Sequence, residues 1–305
     1  MSDDVEFGIS MRLLKGAKQE AQKAEALGYD YVLTGEHIMF HGPTANNMVS
    51  LAAAAGATEK IKLMSGIVLV PLYPPALLAK QVAVLDVVSD GRFSLGIGVG
   101  GEFPKEFDAV GVPVTERGAR TNEALEVIDK LLTEKDVHFD GRFTKLDGVT
   151  VLPHPVQKPR VPFWVAGRKD VAMKRAARYA EGWMPYMYTP EMLDESMDKI
   201  GQFTADAGRP DGTVKGGLFI FTCVHEDRAT ALDLANRQLS RQYNQDFSKM
   251  VAKYTISGSP EECIERTQQY IDAGARSIMF SQGCPPDYVD ENTRLIAEAV
   301  VPAFR

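Results

Sequence analysis

Three short segments carry side chains whose types and spacing could do chemistry. Glu36-His37 sets a carboxylate beside an imidazole directly after Tyr29 to Thr34, an apolar run that reads as a strand. Two adjacent ionisable groups at such a strand end can orient a ring and move a proton, and histidine titrates near neutral pH. The bland alternative is a loop histidine held by its neighbours. Glu102 follows the glycines of GIGVGG and could be a second proton carrier facing His37, although an exposed loop carboxylate would read the same way. Arg168-Lys169, in AGRKD, stand between a strand ending at Ala166 and a helix that starts near Asp170. A helix N-terminus repels cations, by roughly 0.3 to 1 kcal/mol per charge, so this pair is misplaced unless an anion sits among them. A phosphate resolves the conflict: Gly167 lets the backbone come close, free amides point outward, and the two cations complete a cradle. The alternative leaves both side chains extended into water.

Aromatic and histidine side chains offer less. Trp183, Tyr186 and Tyr188 follow an apolar run at Gly182 and could line a substrate pocket, or Trp183 could be packing in the core. His41 lies four residues after His37, but Gly42 and Pro43 argue against a metal-binding helix there. With no HExxH and five scattered histidines, no metal is expected.

These segments need a scaffold, and the chain alternates short apolar runs with amphipathic helical patterns. Val5–Ser10, Tyr29–Thr34, Ile61–Val70, Phe93–Gly98, Val161–Ala166, Gly182–Pro185, Leu218–Val224 and Ser277–Ser281 read as eight strands. Helical spacing lies between them, over Leu14–Leu27, Met48–Ala57, from Ala76, and over Ala119–Glu134. That βαβα order predicts a closed (β/α)8 TIM barrel, with chemistry at the carboxyl ends of the strands and stability on the opposite face. Asp86, Ser89, Gly91 and Arg92 fall on the stability face and read as a structural turn with a local charge pair. Gly66 interrupts the third strand, which predicts a bulge or the close approach of another group. Gly96, Gly98 and Gly101 match GxGxxG, but Glu102-Phe103-Pro104 opens no helix directly and no acidic residue ends a following strand, so a dinucleotide turn is not expected. Gly98, Gly100 and Gly101 would instead let a flat ring or a phosphate tail approach the fourth strand. Residues 136–160, rich in Gly and Pro with alternating apolar residues, predict an inserted hairpin within one domain spanning 1–305.

Bulk properties exclude several classes. The 305 residues, 45% hydrophobic, can bury a large core. A net charge of −7 without a basic stripe argues against nucleic acid and anionic membranes. Cys223, Cys263 and Cys284 form no CxxC pair, which suits a reducing cytoplasm; no signal peptide and no membrane span are expected.

The stretch AKQVAVLDVVSDGRFSLGIGVGG, followed by EFDAVGVPVTERGAR, resembles the luciferase-like flavin- or deazaflavin-dependent oxidoreductases. Weaker similarity runs through VPFWVAGRKD, ARYAEGW and GSPEECIERTQQYIDAGA, so the resemblance covers nearly the whole chain. It implies a barrel that binds coenzyme F420 or FMN, with Glu36-His37 near the reactive ring, where the family often has Asp in place of Glu36. It further implies a non-proline cis peptide at Gly66-Ile67, or failing that Ile67-Val68, behind the ring, and a phosphate contact at Ala166 to Lys169. The expected activity is F420-dependent hydride transfer to or from a small organic substrate. The runner-up is an FMN-dependent monooxygenase supplied with FMNH2 by a partner reductase. A non-catalytic flavin-binding barrel is the alternative from another class. Family members often pair, so the resemblance also implies a homodimer.

Overall fold

Runs that are apolar on both faces can be buried only inside a sheet that is itself covered. In the computed structural model, which describes residues 5–12 and 15–305, eight such runs close into a parallel barrel. They are β1 (Glu6–Ser10), β2 (Tyr31–Thr34), β3 (Lys62–Ser65), β4 (Phe93–Gly98), β5 (Phe163–Ala166), β6 (Gly182–Met184), β7 (Lys215–Val224) and β8 (Ala275–Gln282). Each pairs with the next, and β8 pairs with β1 through Glu6↔Ser277 to Ile9↔Phe280. The helices are α1 (Ala17–Ala26), α2 (Asn47–Ala55), α3 (Pro75–Val88), α4 (Pro104–Ala109), α5 (Arg117–Thr133), α6 (Asp170–Tyr179), α7 (Pro190–Asp206), α8 (Arg228–Tyr243), α9 (Val251–Tyr254), α10 (Pro260–Asp272) and α11 (Val289–Leu295). The architecture is the (β/α)8 barrel that the sequence pattern predicts.

Two apolar layers hold it. Inside the cylinder Tyr31, Leu33, Met64, Trp164, Met184 and Met279 pack together. Outside it, the strand side chains meet the helices in one continuous core that includes Leu51, Leu78, Val82, Leu125 and Ile128. Glycines let the inner layer fit. A Cβ on Gly182 of β6 or on Gly217 of β7 would strike the Trp164 ring, so this indole fills space that the next two strands leave open.

Strand β3 is broken where Gly66 predicts a disturbance. Pairing stops at Ser65, the Gly66–Ile67 peptide is cis, and Val68–Leu69 resumes the strand against Ile97 and Gly98 of β4. The neighbouring glycines are fitted to this break. A Cβ on Gly96 would overlap the Ser65 carbonyl oxygen, and one on Gly98 would overlap Ile67. Ser65 Oγ clamps the strands further, accepting from Gly96 N at 2.7 Å and donating to Gly96 O at 3.0 Å.

Several expectations need correction. Thr255–Gly258 is an extra strand, paired with Phe221 to Val224 of β7. It fills the wall above the point where β6 and β7 part, since those two strands share only the pairs Lys215↔Gly182 and Gly216↔Trp183 and a bridge at Tyr186↔Phe219. The first helix begins at Ala17; Leu14 lies outside the described residues. A six-residue helix does follow the glycine loop, starting at Pro104. Asp86 and Arg92 do not pair with each other. Arg92 donates to the carbonyls of Ala55, Thr58, Ile61 and Ser89, joining α2 to the strands beside it. Asp86, fully buried, accepts from Gln157 N and Nε2. The insertion is a hairpin, Val137–Asp140 antiparallel to Lys145–Val149, and Gln157 in its return segment ties it back to α3. Among the described residues no helix is long and apolar enough to cross a membrane.

Candidate active site

The loops at the carboxyl ends of the strands bring the three chemically suggestive segments into one rim. From His37 the path runs through ring contacts to Phe40 (4.8 Å between centroids) and Phe103 (5.8 Å). Phe103 adjoins Glu102, whose carboxylate accepts a hydrogen bond from Tyr186 Oη at 2.9 Å. The Arg168 guanidinium lies 5.0 Å over the Tyr186 ring. Phe40 also meets Tyr243 of α8 at 6.3 Å, so the loop after β2 reaches across to the β7 side.

Glu36 and His37 are adjacent but have different surroundings. Glu36 is buried and fully engaged: Oε1 accepts from Leu69 N at 3.1 Å, and Oε2 from Tyr73 Oη at 3.0 Å and Asn47 N at 3.4 Å. Burial raises its pKa above the usual carboxylate range, and those hydrogen bonds oppose the rise. Its carboxylate therefore joins the β2 loop to the resumed end of β3 rather than standing free to trade protons. His37 is half-buried and lines a cavity of about 570 Å³, bounded by its own loop and by Leu69, Leu72 and Tyr73. Its Nδ1 lies 3.2 Å from both oxygens of Glu106 on α4.

Glu106 is the residue that sequence reasoning missed. It opens the EFDAVGVPVTERGAR stretch, and nothing in local spacing marks it as a partner of a loop 69 residues earlier. Tyr73, Phe40, Phe103 and Tyr243 escaped notice for the same reason.

At the start of α6, Gly167 has φ +127° and Lys169 is the extended residue that precedes the first helical turn. The loop's carbonyls are turned inward, with Trp183 Nε1 donating to Gly167 O at 2.8 Å and Tyr188 Oη donating to Arg168 O at 3.2 Å. Arg168 and Lys169 are both exposed, and among the described residues neither makes an ion pair. Two cations without a carboxylate partner among the described residues, beside the amides of a helix start, are a donor set that suits a phosphate.

The remaining sequence candidates divide cleanly. Trp183 and Tyr188 are both buried, packed edge to face at 5.6 Å, and their polar ends hold the Arg168 loop. Tyr186 is half-exposed on the rim, its hydroxyl pushed up to about 12 by burial and by Glu102. Gly98 is buried, and Gly100 and Gly101 are half-buried. Ile67 covers Gly98, Leu69 and Phe107 cover Gly100, and Arg117 covers Gly101, so their lack of a side chain accommodates neighbours in the fold. Gly66 and Ile67 are half-buried at the break, Val68 is wholly buried, and Ala166 is half-buried at the end of β5. No group of three His, Cys, Asp or Glu among the described residues could hold a metal ion.

Comparisons with known proteins bear on the fold and the family. A curated relative, the F420-dependent glucose-6-phosphate dehydrogenase of Microbacterium testaceum, is 26% identical over 92% of this chain and 91% of its own. Uncharacterised proteins of Mycobacterium tuberculosis are 31% identical over 182 residues, a match that spans 59% of this chain and 62% of theirs. The monooxygenase RslO1 of Streptomyces bottropensis superposes with a TM-score of 0.87 at 25% identity, covering 98% of this chain and 100% of its own. The F420-dependent tetrahydromethanopterin reductase of Methanopyrus kandleri shares the fold, with a TM-score of 0.84 at 22% identity over 99% of this chain and 100% of its own. The family model described as luciferase-like monooxygenase matches residues 10–277. By that match, and by the barrel it folds into, the chain belongs to the luciferase-like monooxygenase family.

Proposed function

We propose that this chain is an F420-dependent oxidoreductase acting on a small organic substrate. The observation that carries the reading is the pair of exposed cations at the start of α6, which make no ion pair among the described residues and are held there by a loop whose carbonyls are tied inward. The similarity to an F420-dependent dehydrogenase over nine-tenths of the chain supports it. In this reading Arg168 and Lys169 would hold the phosphate-bearing tail, and the residues at the break in β3, Gly66 and Ile67, would hold the ring. F420, when bound, supplies or accepts the hydride. The protein contributes position and proton handling. His37 presents an imidazole to the cavity, and Glu102 with Tyr186 forms a second hydrogen-bonded acid-base pair on the rim. Phe40 meets Phe103 at 5.0 Å and Tyr243 at 6.3 Å between ring centroids, an apolar cluster beside His37.

A second reading, an FMN-dependent monooxygenase fed by a separate reductase, is favoured by the similarity to RslO1. Titration of the purified chain with F420 and, separately, FMN, followed by fluorescence, decides between them. Micromolar binding of F420 with negligible binding of FMN is expected; the reverse result refutes the proposal. His37→Ala then addresses the non-catalytic alternative. Loss of turnover with coenzyme affinity retained marks an enzyme, and unchanged behaviour marks a carrier.

A further inference from the structure

A carboxylate with no exposed surface is costly to keep unless its oxygens are hydrogen-bonded. Glu106 is such a group, on the short helix α4 and wholly buried. Its Oε1 accepts from Ile38 N at 2.6 Å and from Met39 N at 3.3 Å, which fixes the loop immediately after His37. Oε2 receives neither of those bonds and faces His37 Nδ1, which lies 3.2 Å from it and from Oε1. An ionised carboxylate only accepts hydrogen bonds, so the ring nitrogen facing it must carry the hydrogen. With Nδ1–H committed, the lone pair of a neutral imidazole lies on Nε2, for which no hydrogen-bond partner exists among the described residues. The other ionisable groups near this ring do not compete for it. The Glu36 carboxylate is turned to Leu69 and Tyr73, and the His41 ring packs on Phe40 and Phe103.

We propose that Glu106 is a positioning residue that locks His37 in its Nδ1–H tautomer and so makes Nε2 the proton-accepting atom of the site. The proposal rests on the oxidoreductase reading for its use but not for its geometry. In the proton step a substrate O–H or N–H gives its proton to the Nε2 lone pair. The bonding electrons stay on the donor atom, and the imidazolium charge forms opposite the Glu106 carboxylate. The reverse step returns the same proton. Glu106 touches no reacting atom; it acts through His37 and through the Ile38 and Met39 amides.

The test is a long-range 1H–15N spectrum of coenzyme-free protein labelled with 15N-histidine, recorded at a pH where imidazole is neutral. His37 is assigned by the resonance lost in His37→Gln. The expected wild-type pattern is a protonated Nδ1 and a bare Nε2. In Glu106→Gln the side-chain amide can donate to Nδ1, so the hydrogen moves to Nε2 or divides between the nitrogens, whereas Glu106→Asp keeps the wild-type pattern. Turnover with the coenzyme that binds should fall about 100-fold in Glu106→Gln, the scale of a displaced general acid-base group, with KM within about twofold. A wild-type spectrum with hydrogen on Nε2 overturns the proposal without any variant. A Glu106→Gln spectrum identical to wild type also overturns it. If the tautomer switches as expected but neither F420 nor FMN supports turnover, the positioning role stands and the oxidoreductase reading falls.

Discussion

The fit between Ile67 and the glycines of β4 gives a prediction that separates two kinds of crowding. Neither Gly96 nor Gly98 has a positive φ, so alanine is allowed by the backbone at both and only packing opposes it. At Gly98 the new methyl would collide with the end of the Ile67 side chain, with Ile67 Cγ1 2.9 Å away. A half-buried side chain can turn aside, and overpacking of this kind costs about 2 kcal/mol. At Gly96 the collision is with the Ser65 carbonyl, whose carbon is 3.0 Å away and whose strand cannot swing. That change also threatens both Ser65 Oγ hydrogen bonds, so the cost should reach or pass about 3 kcal/mol. Thermal midpoints should fall by roughly 2 to 4 °C per kcal/mol in a chain of this size. The informative experiment is a pair of double-mutant cycles with Ile67→Ala, measured by denaturant unfolding. Removing Ile67 should relieve Gly98→Ala, with a coupling energy of about 1 to 2 kcal/mol, and should barely relieve Gly96→Ala. Additive energies in the Gly98 cycle, or equal rescue at the two sites, would refute the packing argument.

Three other outcomes follow from the site. Arg168→Ala and Lys169→Ala should each weaken binding of a phosphate-bearing coenzyme about tenfold, with the loss shrinking as salt rises, while a ring lacking phosphate binds as before; fluorescence titration checks this. Glu36, whose folded-state pKa is raised, contributes stability that is fully present below its unfolded value and is lost as pH rises through the folded value. Wild type should therefore gain stability relative to Glu36→Gln as the pH is lowered from neutral, and a difference that stays flat or reverses in parallel melts would show that burial does not control this group. Burial pushes the Cys263 and Cys284 thiols up to about 12, and Cys223 is raised too, so a thiol reagent near pH 8 should label none of them in the native protein and all three after unfolding.

The fold was legible because its signals are local. Phe93–Gly98 was bounded correctly because the Ser89-Asp90-Gly91 turn and the glycines enclose it, and the disturbance at Gly66 showed as a glycine in a strand pattern. Thr255–Gly258 was missed because four residues flanked by helical patterns carry almost no periodicity, and the strand exists only where β7 outruns β6. The site was legible by position more than by role. Glu36, His37, Glu102 and Arg168 do meet on one rim, as carboxyl-end loops of a barrel must. What sequence could not distribute was function among near neighbours. Whether Glu36 or Glu106 serves His37 depends on which loop folds over which, a contact between residues far apart in the chain. Aromatic type alone leaves Trp183 and Tyr188 between pocket and core, because it says nothing about which way a ring turns; here their polar ends face back to the loop at Gly167 and Arg168.

The cylinder is zipped unevenly around β7. Residue pairs run from Gly216↔Ala275 to Thr222↔Gln282 on its β8 side, against two pairs with β6 on the other. Above that short seam the wall is a gusset, sewn in from the segment between α8 and α10. Recutting this patch would reshape one side of the entrance, near the Tyr186↔Phe219 bridge, while every rung of the eight-stranded hoop stays fastened.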